Sequence, residues 1–192
     1  MKSKTYENNH KIGIMNGRLS PPVDNLLQQF PINNWKKEFS NASKLKFDFI
    51  EWIFDLQPNP ILDDTGIRTI KKFCKKYNVG IYSICANYFM IKKIFNENND
   101  KIRKNLCTLK KLIKNSSKLG IKIIVIPLLE DSSIRLKKHE VEFEKNIKKI
   151  LPYAVENQIV IALETDLNYK RVLDLMKRLG NMTGGGYVTT IG

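Results

Sequence analysis

The sequence predicts an α/β protein built on a parallel sheet. Three observations carry this reading. Five short runs of continuous apolarity read as strands buried on both faces. Between them lie segments whose apolar residues recur three or four apart, as in helices with one face on a sheet and one in water. The two kinds alternate, which implies right-handed strand–helix–strand crossovers.

Taken in order, Ile12–Met15 is the first strand. Asn34 precedes a stripe of Trp35, Phe39 and Ala42 and is expected to cap that helix. Phe47–Phe54 is the second strand, followed by the stripe Ile67, Ile70, Cys74 and Tyr77. Val79–Ala86, with Gly80 near its start, is the third strand, and Ile102, Leu106, Leu109 and Ile113 mark the helix after it. Gly120 directly precedes the fourth strand, Ile121–Pro127. Phe143, Ile147, Ile150 and Ala154 then read as one helix and Ile159–Glu164 as the fifth strand. Val172, Met176 and Leu179 close the series. Asp166 or Asn168 is the expected N-cap there, and Gly180 ends the helix, where a left-handed cap is common.

Two architectures fit this order. One is an open doubly wound sheet; the other is a (β/α)8 barrel cut short. The open sheet usually carries glycine-rich phosphate chemistry after its first strand. Here Asn16-Gly17-Arg18-Leu19-Ser20-Pro21-Pro22 matches neither a dinucleotide fingerprint nor a P-loop. A whole barrel takes about 250 residues, so 192 residues leave it roughly three units short.

Composition narrows the class. With 42% hydrophobic and 27% charged residues, the chain suits a globular domain rather than a collagen-like, disulfide-scaffold or disordered one. Three Cys are too few and too scattered for a disulfide framework or a Cys-rich zinc site, and without a signal peptide they point to a reducing cytoplasm. Residues 1–11 form a polar tail, neither signal nor membrane anchor. The longest strongly apolar run, Ile121–Leu129, is far short of the ~20 residues of a spanning helix. A net charge of +14 invites a nucleic-acid reading. The lysines, however, come in pairs such as Lys71-Lys72 and Lys110-Lys111 between helical apolar positions, which places them on solvated faces.

Candidate chemistry sits at the carboxyl ends of the strands, where barrels keep their working groups. Glu164 terminates the apolar run Ile159–Leu163, so a buried strand carries it to the rim. There a carboxylate can bind a divalent metal or take a proton from carbon beside a carbonyl; alternatively it caps the next helix or pairs with a lysine. Glu51 lies inside an apolar run and needs a partner, either a Lys or Arg or a substrate. Arg18 can make a bidentate contact to phosphate or carboxylate, or remain a solvated loop residue. Asn87 suits hydroxyl recognition or a turn. Glu130 and Asp131 stand just beyond the fourth strand, Cys85 reads as a small core residue, and His10 and His139 read as surface residues.

The ordered set of strand ends resembles the sugar phosphate isomerase/epimerase family of xylose isomerase-like TIM barrels. Ile14-Met15-Asn16-Gly17-Arg18-Leu19-Ser20-Pro21-Pro22 is similar to its first strand and loop, and Phe49-Ile50-Glu51-Trp52 to its second strand. Ser83-Ile84-Cys85-Ala86-Asn87-Tyr88-Phe89 resembles its third, where members often carry Asp in place of Asn87. Ile126-Pro127 and Ala162-Leu163-Glu164-Thr165 resemble the fourth and fifth. The resemblance implies an incomplete barrel of about five βα units in residues 12–180, followed by a Gly-rich aberrant or disordered tail at 181–192. It also implies a small sugar or sugar phosphate as substrate, with Arg18, Glu51 and Asn87 as binding residues. A divalent ion (Mn, Zn or Mg) would assist proton transfer through an enediolate.

Of the family's metal ligands, only Glu164 has a counterpart in this chain, where it would be both ligand and acid/base. Strands six to eight and their Asp, His and Glu are missing from this reading, and Lys170 stands six residues past Glu164, where some relatives carry a further Glu. Weak or absent activity of the isolated chain is therefore expected. So is self-association, or docking with a complementary half-barrel, through unpaired sheet edges. Two alternatives remain: a non-catalytic half-barrel that binds a partner, and a metal-dependent abasic-site endonuclease. The second would use the positive charge but finds only two His for a His-rich site.

Overall fold

The computed structural model describes residues 11–22 and 28–180, together with the strand backbone at 188–191. Six strands form one parallel sheet in sequential order: β1 (Gly13–Met15), β2 (Phe49–Ile53), β3 (Gly80–Cys85), β4 (Ile123–Leu128), β5 (Val160–Thr165) and β6 (Val188–Ile191). Sequential parallel order is barrel-like winding. A doubly wound sheet reverses direction at a switch point, and no reversal occurs here.

The five expected strands are all present. The sixth was not foreseen: the predicted tail includes Val188–Ile191, which pairs with Ile161–Glu164 of β5. The remainder of that tail, and His10, lie outside the described residues. A threonine pair between Val188 and Ile191 is ordinary strand composition, but the glycines before it hide the signal.

The helices follow the apolar stripes: α1 (Trp35–Lys44), α2 (Asp64–Tyr77), a single-turn α3 (Tyr88–Ile91), α4 (Asn99–Leu119), α5 (Lys137–Ile147), α6 (Leu151–Glu156) and α7 (Tyr169–Gly180). One expectation fails. The stripe from Phe143 to Ala154 is two helices, α5 and α6, joined by a tight turn in which the Ile150 N–H donates to the Ile147 carbonyl. Pro152 explains the break, because it has no N–H to offer and its ring crowds the carbonyl one turn back. Of the expected caps, Asn168 accepts from the Arg171 N–H at 3.1 Å, whereas the Asn34 side chain makes no capping bond. Gly120 closes α4 with φ +75°, a left-handed geometry that glycine adopts without strain.

Two layers bury the sheet's outer face. Trp52 of β2 packs against Trp35 and Phe39 of α1, with ring centroids 5.7 and 6.3 Å away, and Phe73 of α2 joins them at 5.9 Å from each. Side chains alternate along a strand, so Ile50 and Trp52 point to the helices while Phe49 and Glu51 point to the concave face. On that face the Phe49 ring lies across Gly13, where a Cβ would come within 1.9 Å of it, and stacks 5.5 Å from Tyr82. The amino-terminal end of the concave face is thus filled by aromatic rings, and its polar groups gather at the carboxyl end.

Candidate functional site

Each carboxyl strand end delivers a distinct group. In β1 the chain leaves through Asn16, which is fully buried. Its Nδ2 donates to Glu38 Oε2 at 2.7 Å, while its Oδ1 has no partner. Glu38, on α1, also accepts from the Gly17 N–H at 2.8 Å, the Leu19 N–H at 3.3 Å and the Ser20 hydroxyl at 2.6 Å. A buried carboxylate with four donors rigidifies whatever supplies them. Here that is the loop bearing Arg18, whose own side chain is exposed at the rim.

Glu38 was not singled out in the sequence. The signal was present: 35, 38, 39 and 42 follow the i, i+3, i+4, i+7 rule, so Glu38 completes the buried stripe.

Glu51 of β2 is half-buried, and its partner is neutral. Ser83 Oγ donates to Glu51 Oε1 at 2.8 Å, with no lysine or arginine bound to it among the described residues. The ladder between β2 and β3 slips here: Ile50 pairs with Ile81 but Trp52 pairs with Ile84, so β3 carries one extra residue opposite Glu51. Such a bulge re-aims a side chain, and Ser83 uses it to reach the carboxylate.

Two residues further along β3, Cys85 donates from Sγ to Asn87 Oδ1 at 3.1 Å, and Asn87 Nδ2 donates to the Gln28 carbonyl at 3.3 Å. Burial pushes the Cys85 thiol up to about 12, and the negative charges of Glu51 and Glu164 push the same way. A thiol in that state stays protonated and inert as a nucleophile or thiolate ligand. The strand register places Cys85, Val125 and Ala162 on one face of the sheet, and Glu164 two residues past Ala162 on that same face. Glu164 sits beside Pro127 in the ladder, half-buried, and its side chain has no hydrogen bond or ion pair to another described residue. The capping alternative goes to Asn168 instead.

Arg18 and Asn87 are brought together from separate strands. They line one cleft of about 600 Å³ at the rim, with Gln29, Asp55, Gln57 and Glu130 among its other walls. Gln29 Oε1 is buried there without a partner among the described residues. Asp55 is committed to the backbone, accepting from the Phe30 and Gln57 N–H groups at 2.8 and 2.9 Å. The Cys85–Asn87 hydrogen bond joins this cleft to the Glu51–Glu164 region. His139 is half-buried, 5.9 Å from the Phe95 ring.

No group of three or more His, Cys, Asp or Glu able to hold a metal ion occurs among the described residues. Glu164 and Glu51, with the protonated Cys85 thiol, are not a divalent-metal donor set. The ion implied by the resemblance therefore finds one carboxylate, Glu164, and no completed site in the described residues.

The fold and its rim define a barrel-type α/β protein with polar chemistry at the strand carboxyl ends. A family model described as xylose isomerase-like TIM barrel matches residues 39–181, and the chain belongs to that family. No curated protein matches the sequence. Among solved structures, a D-psicose 3-epimerase with D-tagatose from Clostridium cellulolyticum H10 aligns with TM-score 0.68 and 16% identity, covering 94% of this chain and 62% of that one. A 3-keto-D-glucoside 4-epimerase from E. coli aligns at 0.59 and 12%, covering 95% and 91%. The IOLI protein with a binding zinc atom aligns at 0.64 and 14%, covering 89% and 59%. At these identities the likeness is one of fold. The chain spans about three-fifths of the length of several of these proteins. No helix among the described residues is long and apolar enough to cross a membrane.

Proposed function

We propose that the chain binds a small sugar or sugar phosphate at its carboxyl rim and derives from an isomerase or epimerase that shifts a proton beside a carbonyl. The observation that supports this best is Glu164: a half-buried carboxylate at the end of a buried strand, without a hydrogen bond or ion pair to another described residue, on the same face of the sheet as Cys85. Neighbours of the same fold, solved with D-tagatose and in the presence of D-fructose, support a sugar as ligand. In this reading Asn87 and Gln29 address hydroxyls, Arg18 takes a phosphate or carboxylate, and Glu51, held by Ser83, orients the sugar from β2.

The proton step belongs to Glu164. Its carboxylate accepts the proton from the carbon beside the carbonyl, the electron pair of the broken C–H bond passes into an enediolate, and the carboxylic acid, after exchange with solvent, returns a proton to carbon. A divalent ion would stabilise that oxyanion in a complete member. The described residues supply one ligand, so no step is assigned to an ion here, and turnover by the isolated chain is expected to be weak or nil.

Solvent-deuterium incorporation into D-fructose, D-tagatose and their phosphates, read by NMR alongside calorimetric binding, tests the assignment. Binding that survives Glu164→Gln while any exchange disappears supports it. Exchange unchanged in that variant, or no binding of any sugar, refutes it.

A second reading rests on a different observation. β1 and β6 are the end strands of an unclosed sheet, and such edges pair with other chains. A non-catalytic half-barrel that self-associates, or docks on a complementary half, follows from it. A concentration-independent monomer by sedimentation would exclude the self-associating form. Free thiols at Cys74, Cys85 and Cys107 suit a reducing, cytoplasmic setting for either reading.

A further inference from the structure

We propose that Glu130 is a specificity-determining residue of the rim cleft. It keeps phosphate off the β4–β5 side, so the site takes a sugar phosphate whose phosphate is remote from the carbonyl and rejects one whose phosphate adjoins it. The inference rests on the sugar reading of that cleft and adds which end of the ligand goes where.

Glu130 stands two residues past β4, and its backbone is left-handed, with φ +50°. Glycine or asparagine suits such a position; a glutamate enters it at a cost. The turn is clamped there. Ser132, fully buried, accepts the Leu129 N–H at 3.1 Å and donates to the Pro127 carbonyl at 3.0 Å. Ser133 Oγ donates to Asp166 Oδ1 at 3.0 Å, tying the turn to the loop after β5. Lys93 reaches the same turn but bonds the Asp131 carbonyl at 3.3 Å rather than the Glu130 carboxylate. These bonds engage the neighbours of Glu130. Its carboxylate has no hydrogen bond or ion pair among the described residues, and it forms part of the cleft wall.

The charges of the cleft are arranged by strand. Arg18, from the loop after β1, is the one cation among the described walls. Asp55, beyond β2, and Glu130, beyond β4, line the same cleft, and neither forms an ion pair with Arg18. On the far side of β4 stands Glu164 of β5, paired with Pro127 in the ladder. A negative group is thus attracted at the β1 wall and repelled along β4 and β5. The chain as a whole carries +14, so this excess of carboxylates is particular to the cleft.

Phosphate carries a charge of about −2 near pH 7, so it is sorted far more strongly than a hydroxyl. With phosphate on Arg18, the uncharged end of the sugar and its carbonyl turn toward Glu164. A phosphate beside the carbonyl cannot remain on Arg18 while the carbonyl reaches Glu164. It would be drawn in beside Glu130 instead.

D-Fructose, D-fructose 6-phosphate and D-fructose 1-phosphate share one carbon skeleton and differ in where the charge sits. Calorimetric titration of the full chain at low ionic strength should find the 6-phosphate bound about tenfold more tightly than the 1-phosphate. Glu130→Gln should improve 1-phosphate binding severalfold and leave D-fructose within about twofold. Glu130→Gly should do the same and also raise the thermal midpoint, because glycine relieves the left-handed turn. A gain of affinity is not what a damaged fold produces. Salt at about 1 M should remove most of the preference between the two phosphates.

The inference alone is overturned if wild-type chain binds both phosphates alike, or if the preference survives Glu130→Gln or high salt. It is also overturned if Glu130→Gln weakens all three ligands equally, which would leave Glu130 a structural residue. Failure of all three to bind wild-type chain refutes the sugar reading and this inference together. Binding of D-fructose itself therefore tells the two failures apart.

Discussion

Two buried carboxylates, Glu38 and Glu140, show how differently this fold accommodates a charge. Both side chains are within about one per cent of complete burial. Around Glu38 every donor is neutral, namely Asn16, Gly17, Leu19 and Ser20, and all come from the loop after β1. Around Glu140 the donors are cations, with Lys137 from its own helix and Arg171 and Arg178 from α7. Arg178 also binds Glu144 at 2.7 Å, and Glu144 binds Lys148. One cluster gives the rim loop its shape; the other ties α5 to α7. The Glu38 donors include backbone N–H groups that cannot turn to water, whereas the arginines around Glu140 are a third exposed and can.

That difference orders the expected outcomes. Glu38→Ala leaves several buried donors unpaired and should lower unfolding free energy by about 3 kcal/mol in urea titrations. Glu38→Gln should cost nearly as much, because each Glu38 oxygen receives two donors and an amide nitrogen in either place would meet them donor to donor. If Glu38→Gln is neutral, the neutral-donor cage is not what holds the loop.

Glu140→Ala should cost less, about 1–2 kcal/mol, because its partners can rehydrate. In 1 M salt this penalty should shrink while that of Glu38→Ala persists. Equal salt sensitivity in the two variants would break the distinction.

Acid should weaken the Glu140 cluster. Burial opposes ionisation of Glu140, but hydrogen bonds from Lys137, Arg171 and Arg178 outweigh it and hold its carboxyl below the usual 4.5. Glu144 lies below that value too, where bonds from Lys148 and Arg178 outweigh its own burial. A carboxyl lowered on folding contributes stability above its unfolded value and loses it as pH falls through the folded one. Stability from the α5–α7 cluster should therefore decline below about pH 4.5, and Glu140→Ala should flatten that decline in denaturation midpoints measured against pH. The smallest expected effect is Ser20→Ala, which removes one of the four donors and should cost about 1 kcal/mol by the same titration.

The strand ends were readable to different degrees. Glu164 and Glu51 stand out in sequence as carboxylates inside apolar runs, and both arrive at the carboxyl half of the concave face. Arg18 and Asn87 each stand out singly, but their shared cleft depends on four connections folding over one another. Glu51 was expected to need a lysine, an arginine or a substrate; Ser83 serves because a one-residue bulge, invisible in the apolar pattern, turns it inward. Glu38 was overlooked because a charged residue in a helix is usually on its wet face, and only the loop donors make its burial tolerable.

Local chemistry determined what the sequence alone could determine. Continuous apolarity marks buried strands, three-to-four spacing marks helices packed on them, and their alternation compels parallel crossovers, since each signal depends on near neighbours in the chain. Tertiary structure decided the rest: that the sheet takes a sixth strand from Val188–Ile191, that Pro152 divides one apolar stripe into two helices, and that a one-residue bulge brings Ser83 onto Glu51. These depend on contacts between residues distant in sequence, whose register and approach are set by packing rather than by any local pattern.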